Sequence, residues 1–341
     1  MAKIFLIQGS ILLSILCFPA FAEPLTGEAF SFYLENDTRK IGGPGTDESY
    51  SNGFRFAYVF AQDRVPNWAP IIKRANKSLR EKLEKAPSNF GFSFGQQVFT
   101  PDDTRAPGLI KKDRPYAGYL SVGFNATVQI DDVCELFSLE LGTIGPDARG
   151  EEVQNGFHRM IGIADAEGWD NQLENEPTIQ LAYQRRFRTA QLFVRSSKNF
   201  DVIPFVGVAL GNVVVSAHTG LIARVGVNIP DDFGPSRPSA TDGDIFTVPK
   251  EESKLKGWGF YAFGGLRGNA VARNIFLDGN TFVESHRVER NPWVAENELG
   301  WGAHLGRMSL IWRYVTRTPE FTENTRTDSF ASVSLHYYHG L

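Results

Sequence analysis

The stretch from Ser49 to Phe60, SYSNGFRFAYVF, alternates between two kinds of side chain almost without a break. One face is mostly aromatic, and the other carries Ser51, Gly53, Arg55 and Ala57. A period of two predicts a β-strand, and a strand of roughly ten residues can cross a bilayer when it is tilted. An arginine on the small-residue face suits the polar lumen of a barrel, because it would be costly against lipid. The stretch therefore predicts a membrane-spanning strand.

The same alternation recurs along the chain and predicts about 12 strands. They are residues 28–37, 49–60, 90–100, 116–129, 135–144, 177–194, 200–215, 217–227, 257–270, 293–305, 308–317 and 326–338. An even number of long strands is the rule for single-chain bacterial outer-membrane barrels. A soluble periplasmic β-sandwich also alternates, but its strands are commonly only about 5–6 residues long. We therefore predict an all-β fold, a 12-stranded antiparallel transmembrane β-barrel.

The first 22 residues are predicted to be a signal peptide and not part of the fold. Lys3 gives a positive start, residues 11–18 form an apolar run, and Ala20-Phe21-Ala22 is a small-x-small cleavage site. Residues 23–341 would then form the barrel domain. This mature chain keeps a single cysteine, Cys134, so no internal disulfide is expected.

Composition excludes some classes of partner. The formal net charge of −4 offers no broad basic field, which argues against nucleic acid. No stretch beyond the leader reaches the roughly 20 apolar residues that a membrane-spanning helix needs. The 27 phenylalanines fit a barrel wall in contact with lipid, and the chain is expected to act as a monomer in the outer membrane.

Residues 142–162, between the fifth and sixth predicted strands, predict a short helix in a loop. Gly145-Pro146-Asp147 is typical of a helix N-terminus. At helical spacing one face would carry Asp147, Glu151, Gln154 and His158. A neighbouring apolar stripe would consist of Val153, Phe157, Met160, Ile161 and Ala164. Such a helix can be pinned to a scaffold while it presents polar side chains, although an ordinary solvated surface helix is the alternative.

Polar residues gather at strand ends that would share the extracellular rim of the barrel. They are Asn36, Asp37, Ser51, Asn52, Thr100, Asp102, Asp103, Asp113 and Arg114. Carboxylate and amide oxygens suit a hard cation such as Ca²⁺, and a histidine beside them can act as general base on water. Each feature also has an ordinary interpretation: Asn36 and Asp37 as turn residues, His158 as a surface histidine, and Asp113–Arg114 as a structural pair in the lumen.

Several short motifs, in the same order along the chain, resemble the calcium-dependent lipid A 3′-O-deacylases of Gram-negative outer membranes. The matching pieces are Glu35-Asn36-Asp37, Tyr50-Ser51-Asn52-Gly53, Thr100-Pro101, Asp113-Arg114-Pro115-Tyr116-Ala117-Gly118, and Gly145-Pro146-Asp147-Ala148 through Gln154 to His158. Trp169, Gln172 and Glu174-Asn175 extend the match. The combination is specific, although each piece alone is weak.

The resemblance implies an active site between the barrel wall and a loop helix. It implies hydrolysis of the ester that holds the 3′-acyloxyacyl chain of lipid A, within lipopolysaccharide of the outer leaflet. Its residues would be His158 as general base with Gln154 beside it, and Asn36 and Asp37 at the calcium and oxyanion region.

The resemblance also assigns three further positions. Ser51 stands where a family member has threonine, so the hydroxyl is retained. Thr104-Arg105 stands where that member has Lys-Arg, so one positive charge is missing. Together with Arg114, these two residues would bind lipid A phosphate.

Two other functions remain open at this stage. An outer-membrane phospholipase-like hydrolase would share the barrel but normally shows a Ser–His–Asn arrangement, for which the sequence has no clear signature. A non-enzymatic porin or adhesin would leave Asn36, Asp37, Gln154 and His158 scattered in space.

Overall fold

The computed structural model describes residues 27–36, 49–61, 88–130, 132–188, 199–237 and 257–339. These residues form 12 strands, and each strand pairs with the next until β1 and β12 close the ring. The strands are β1 Glu28–Asn36, β2 Ser49–Phe60, β3 Ser88–Thr100, β4 Ala117–Ile130, β5 Val133–Ile144, β6 Glu176–Phe187, β7 Phe200–Gly211, β8 Val214–Val227, β9 Trp258–Asn274, β10 Trp293–Leu305, β11 Met308–Arg317 and β12 Asp328–His339. The predicted closed antiparallel barrel is confirmed. The predicted signal peptide and Asp37 lie outside the described residues.

Helical structure is sparse in the described part of the chain. Helix α1 spans Gly150–Ile161 in the loop between β5 and β6, and helix α2 spans Ile275–Asp278 after β9. No described helix is long and apolar enough to cross a membrane. The predicted helix in the β5–β6 loop is therefore present.

The wall has an apolar outside and a polar inside. On β1, Phe30 and Leu34 face outward, each 45% exposed, whereas Ser31 and Glu35 face inward and are buried. On β2 the predicted inward arginine, Arg55, forms a 2.7 Å ion pair with Glu140 of β5. This alternation is the one expected of a barrel whose outer face contacts lipid.

The described residues fill the lumen. Residues 229–237, which follow β8, enter the barrel, and there Asp232 forms a 2.6 Å ion pair with the fully buried Arg224. At the other end α2 crosses the mouth: its Phe276 stacks on Phe99 of β3 at 3.8 Å, six strands round the ring from β9. Because charged pairs and aromatic rings occupy the interior, chemistry that needs contact with lipid must be sought on the outside.

Candidate active site

The loop helix begins later than the sequence pattern predicts. Pro146–Ala148 forms a separate 3-10 turn, and Arg149 interrupts it in the left-handed conformation with φ 57°. Asp147 is therefore not on α1, and Glu151 is exposed. The predicted face of four polar residues is therefore wrong for Asp147, whereas Glu151 does lie on α1. Gln154 and His158, in contrast, are only 1% and 2% exposed.

Helix α1 packs against the outside of the barrel. Along β4, Ser121 faces the buried interior and Val122 is exposed on the outer face, so Gly118 also faces outward. A Cβ atom added to Gly118 would lie 2.9 Å from the backbone nitrogen of Gly150. Only a glycine allows the first turn of α1 to approach the wall this closely.

A row of outward-facing residues runs from Gly118 across the neighbouring strands. The strand register pairs Gly118 with Val98, Val98 with Asn52, and Asn52 with Asn36. Asn36 and Asn52 thus stand on the lipid side of the wall, near the extracellular end of their strands. Polar side chains at such positions depart from the apolar rule of the outer face, which makes the row a candidate site.

Ser51 lies at an irregularity next to this row. The register of β2 against β3 shifts between Tyr50 and Asn52, so the backbone of Ser51 forms a bulge. Bulges re-aim side chains and are frequent beside active sites. The predicted position of Ser51 at the site therefore coincides with a local distortion of the strand.

The direction of α1 carries its second half toward Asn52 and Asn36. The 3-10 turn contacts β4 and β5, and α1 then contacts β4 and β3. His158 lies eight residues beyond Gly150, which is roughly 12 Å along a helix. The contacts therefore advance from β5 to β3, which is the direction of β2 with Asn52 and β1 with Asn36.

The backbone that follows α1 holds the His158 ring. Gly162 ends the helix in the left-handed conformation, with φ 77°, and turns the chain back. The carbonyl oxygen of Ala164 then lies 2.8 Å from His158 Nδ1. Because a carbonyl oxygen can only accept, Nδ1 must carry the hydrogen. In the neutral ring Nε2 is consequently the nitrogen with the lone pair.

Gln154 is oriented by Trp169. The indole Nε1 donates a 2.9 Å hydrogen bond to Gln154 Oε1. The Nε2 amide group of Gln154 therefore points away from the indole. Among the described residues Nε2 has no hydrogen-bond partner although it is buried. The indole itself packs on Gly150, where an added Cβ would lie 2.6 Å from its ring. A buried, unpaired donor costs about 1–3 kcal/mol, which makes this amide a candidate for binding a ligand atom.

Gln96 supplies a complementary acceptor under the same loop. It extends the outward face of β3, donates from Nε2 to the carbonyl of Ala148 at 2.5 Å, and is 3% exposed. Its Oε1 is buried and has no partner among the described residues. The wall and the loop thus bury one hydrogen-bond donor, Gln154 Nε2, and one acceptor, Gln96 Oε1, that have no partner among the described residues.

Comparison with known proteins identifies the family. The profile of the family described as "Outer membrane protein LpxR" matches residues 8–339. The chain belongs to the LpxR family. It is therefore an outer-membrane protein of the lipid A 3′-O-deacylase family, as the sequence resemblance implies.

A solved structure shows the same fold. LpxR from Salmonella typhimurium superposes with a TM-score of 0.72 at 19% identity, covering 91% of this chain and 99% of that one. The translocator domain of the autotransporter NalP from Neisseria meningitidis has a TM-score of 0.39 at 11% identity, covering 98% and 96%. Comparison with curated protein sequences gives no match.

Thr104 and Arg105 lie in the β3–β4 loop, next to the segment that follows α1. The Thr104 carbonyl accepts hydrogen bonds from the Tyr116 hydroxyl at 3.2 Å and from the Glu167 backbone at 2.9 Å. These bonds join the β3–β4 loop to the segment that follows α1. Arg105 is exposed on this loop.

Arg114 is not brought to the site. It is 1% exposed, forms a 2.7 Å ion pair with Glu320, and lies over the Phe99 ring on the inner side of the wall. Burial alone would raise the pKa of Glu320, but Arg317 and Arg114 outweigh it and hold the pKa below its usual range. Arg114 therefore has a structural partner in the interior, although that partner is Glu320 rather than the neighbouring Asp113.

The described residues offer oxygen donors for a cation but no carboxylate cluster. Asn36, Asn52 and the unpaired Gln96 Oε1 supply neutral amide oxygens, which suit a hard cation. Within the described ranges no three His, Cys, Asp or Glu side chains are placed to hold a metal. A calcium site here would need Asp37, which lies outside those ranges, so the donor chemistry fits only with its help.

The sequence did not point to site roles for three residues that help to build the candidate site. Gln96 was one, although it interrupts the outward row begun by Phe90, Phe92 and Phe94 of β3 and so carried a readable signal. Asn155 was another; it clasps the backbone of Ala166 with bonds of 2.7 and 3.2 Å. The orienting contact of Trp169 was the third, and neither it nor the Asn155 contact has a local sequence signature.

Proposed function

We propose that this chain hydrolyses the ester linking the 3′-acyloxyacyl chain to lipid A, with His158 as general base. The observation that carries the proposal is the burial of two polar side chains of α1, Gln154 and His158, where this helix packs on the lipid-facing side of the barrel wall. An outer-leaflet lipid can reach this position sideways. Lipid-facing positions of a barrel are normally apolar. Buried polar side chains at this place therefore favour a function in contact with lipid.

His158 would activate the attacking water. Its Nδ1–H bond to Ala164 leaves Nε2 to take a proton as the water oxygen bonds to the acyl carbon. The resulting imidazolium then gives this proton to the sugar oxygen as the ester bond breaks. The products are a free 3′-hydroxyl on lipid A and the carboxylic acid of the released acyloxyacyl chain.

Gln154 would hold the substrate carbonyl. Trp169 keeps its oxygen occupied, so the amide would present its buried Nε2–H donors to the substrate. Donors fixed in advance stabilise charge that develops on an ester oxygen. Asn36 and Ser51 would complete the polar surroundings, while Thr104 and Arg105 would meet a lipid A phosphate at the rim.

We further propose a bound Ca²⁺, held by Asp37 and Asn36 with amide oxygens of the outward row. When bound, the ion would supply positive charge to stabilise the oxyanion. The chain would act as a monomer, since its strand ring closes on itself and one chain provides every residue named above.

The reaction is tested by mass spectrometry of lipid A from cells that produce the protein. We expect a species lighter by the 3′-acyloxyacyl chain, and the same product when purified protein acts on purified lipid A. Loss of a different acyl chain would correct the position of the ester. Unchanged lipid A together with cleaved phospholipid would replace this function by that of a phospholipase.

Removal of the ion is expected to abolish the activity. Purified protein treated with EDTA should lose its deacylation of lipid A, and added Ca²⁺ should restore it, whereas Mg²⁺ should restore little because it demands near-ideal octahedral geometry. An Asp37→Asn variant should need more Ca²⁺ for half-maximal rate. Full activity in EDTA would remove calcium from the proposal and leave the base assignment standing.

The two competing functions have less support. In the described residues, a serine–histidine contact occurs where His336 meets Ser31 at 2.9 Å and Ser334 at 3.2 Å. All three are buried in the lumen, out of reach of lipid. The described part of the lumen is likewise filled by side chains, which disfavours a porin.

A further inference from the structure

The apolar stripe of α1 is left outside the protein core. Val153 and Phe157 are half-buried, and Met160 is 73% exposed. The residues that α1 turns toward the wall are the polar Gln154 and His158. A helix of a soluble protein would do the opposite and bury its apolar stripe. Another apolar environment must therefore meet this stripe.

The surroundings of α1 show which way the stripe points. Asn155 is clasped by the backbone of Ala166, and the adjacent Glu167 bonds to Thr104 in a loop beyond the strand ends. The Asn155 side of α1 thus faces the extracellular space. Phe157 follows two residues later, about 200° round the helix axis. It points the opposite way, toward the membrane.

The stripe continues the lipid-contacting belt of the barrel. Below α1, Phe94 of β3 is 43% exposed, and Val122 and Phe124 of β4 are 42% and 39% exposed. Outward apolar side chains at this height lie in the hydrocarbon layer.

We propose that α1 is an interfacial helix whose stripe of Val153, Phe157 and Met160 lies among the hydrocarbon chains of the outer leaflet. Its charged residues Glu151 and Arg159 then face water, the distribution typical of helices that sink about 5–10 Å into the boundary of a bilayer. This depth places the side chains of Gln154 and His158 level with the ester groups of a lipid. The relevance of this level to ester hydrolysis rests on the proposed function, whereas the depth of α1 in the bilayer does not.

Site-directed spin labelling measures the depth without any substrate turnover. Met160→Cys carries the label in the stripe, and Glu151→Cys carries it about 180° away on the same helix. Cys134 is fully buried, and the unsubstituted protein gives the labelling background. Each labelled protein is placed in vesicles of phosphatidylethanolamine and phosphatidylglycerol. Collision with oxygen, which concentrates in hydrocarbon, is compared with collision with a water-soluble nickel chelate.

We expect oxygen collisions to exceed nickel collisions several-fold at position 160, and the reverse at position 151. Similar nickel access at both positions would place the stripe in water and overturn the proposal. Low access to both reagents at position 160 would show protein contact instead of lipid and would also overturn it. Activity on lipid A plays no part in this readout, so failure of the proposed reaction would be seen separately.

Discussion

His158→Asn should lower the rate of lipid A deacylation by about 10²–10⁴-fold, the usual contribution of a general base. Asparagine can still donate a hydrogen bond to the Ala164 carbonyl, so the loop after α1 should keep its shape. It has no nitrogen lone pair that can take the proton from water. The measurement is the initial rate on purified lipid A, followed by mass spectrometry.

The matched control is Arg159→Gln, one residue further along α1. Arg159 is exposed and pairs at the surface with Asp165 at 2.7 Å, a contact worth roughly 0–1 kcal/mol. We expect its rate to stay within about two-fold of the parent protein. Folding of both variants is checked by the heat-dependent shift of the barrel in gel electrophoresis. A folded His158→Asn protein with full activity would show that His158 is structural, and the mechanism would have to be abandoned.

The barrel could be predicted because its signal is local. Along β2 the polarity of each side chain predicts whether it faces the lumen or the lipid. The predictions that Arg55 faces inward and Phe56 outward are both confirmed. The strand ends follow with less accuracy: β9 continues to Asn274 rather than 270, and β6 is described as far as Phe187, while residues 189–194 of its predicted range lie outside the described residues. The closing of the ring then follows from the even number of long strands.

The orientation of α1 could not be predicted, because it depends on contacts distant in sequence. The pattern suggested that the apolar stripe would pin the helix, but Gly118 and Gly150 bring it to the wall by its polar side. The familiar rule buries apolar faces because water is the solvent. On the outside of a membrane barrel lipid is the solvent, and the rule reverses. Asn52 and Gln96, polar residues in outward aromatic rows, were the visible sign.

Gly118→Val should separate the helix from the wall while the barrel still folds. Valine is a favoured residue in strands, so β4 itself should tolerate the change. Its Cβ would nevertheless lie 2.9 Å from the nitrogen and 3.0 Å from the Cα of Gly150, and these backbone atoms cannot turn aside. A displacement of roughly 1 Å at a catalytic group can cost about 10²-fold in rate. We expect a loss of that size in lipid A deacylation.

Gly156→Ala provides the comparison within the helix. An added Cβ at Gly156 meets no atom within 4 Å, and alanine favours a helix over glycine by about 1 kcal/mol. This variant should keep its rate, which would show that α1 tolerates a methyl group where nothing opposes it. Equal activity of folded Gly118→Val would mean that the close approach of the two glycines does not set the distance between His158 and its substrate.

A graded series adds Gly118→Ala between the parent protein and Gly118→Val. It distinguishes a strand that moves to accommodate the larger side chain from a helix whose position does not depend on Gly118. We expect the rate to fall at each step, because each added carbon pushes the Gln154–His158 side of α1 further from the Asn36–Asn52 row.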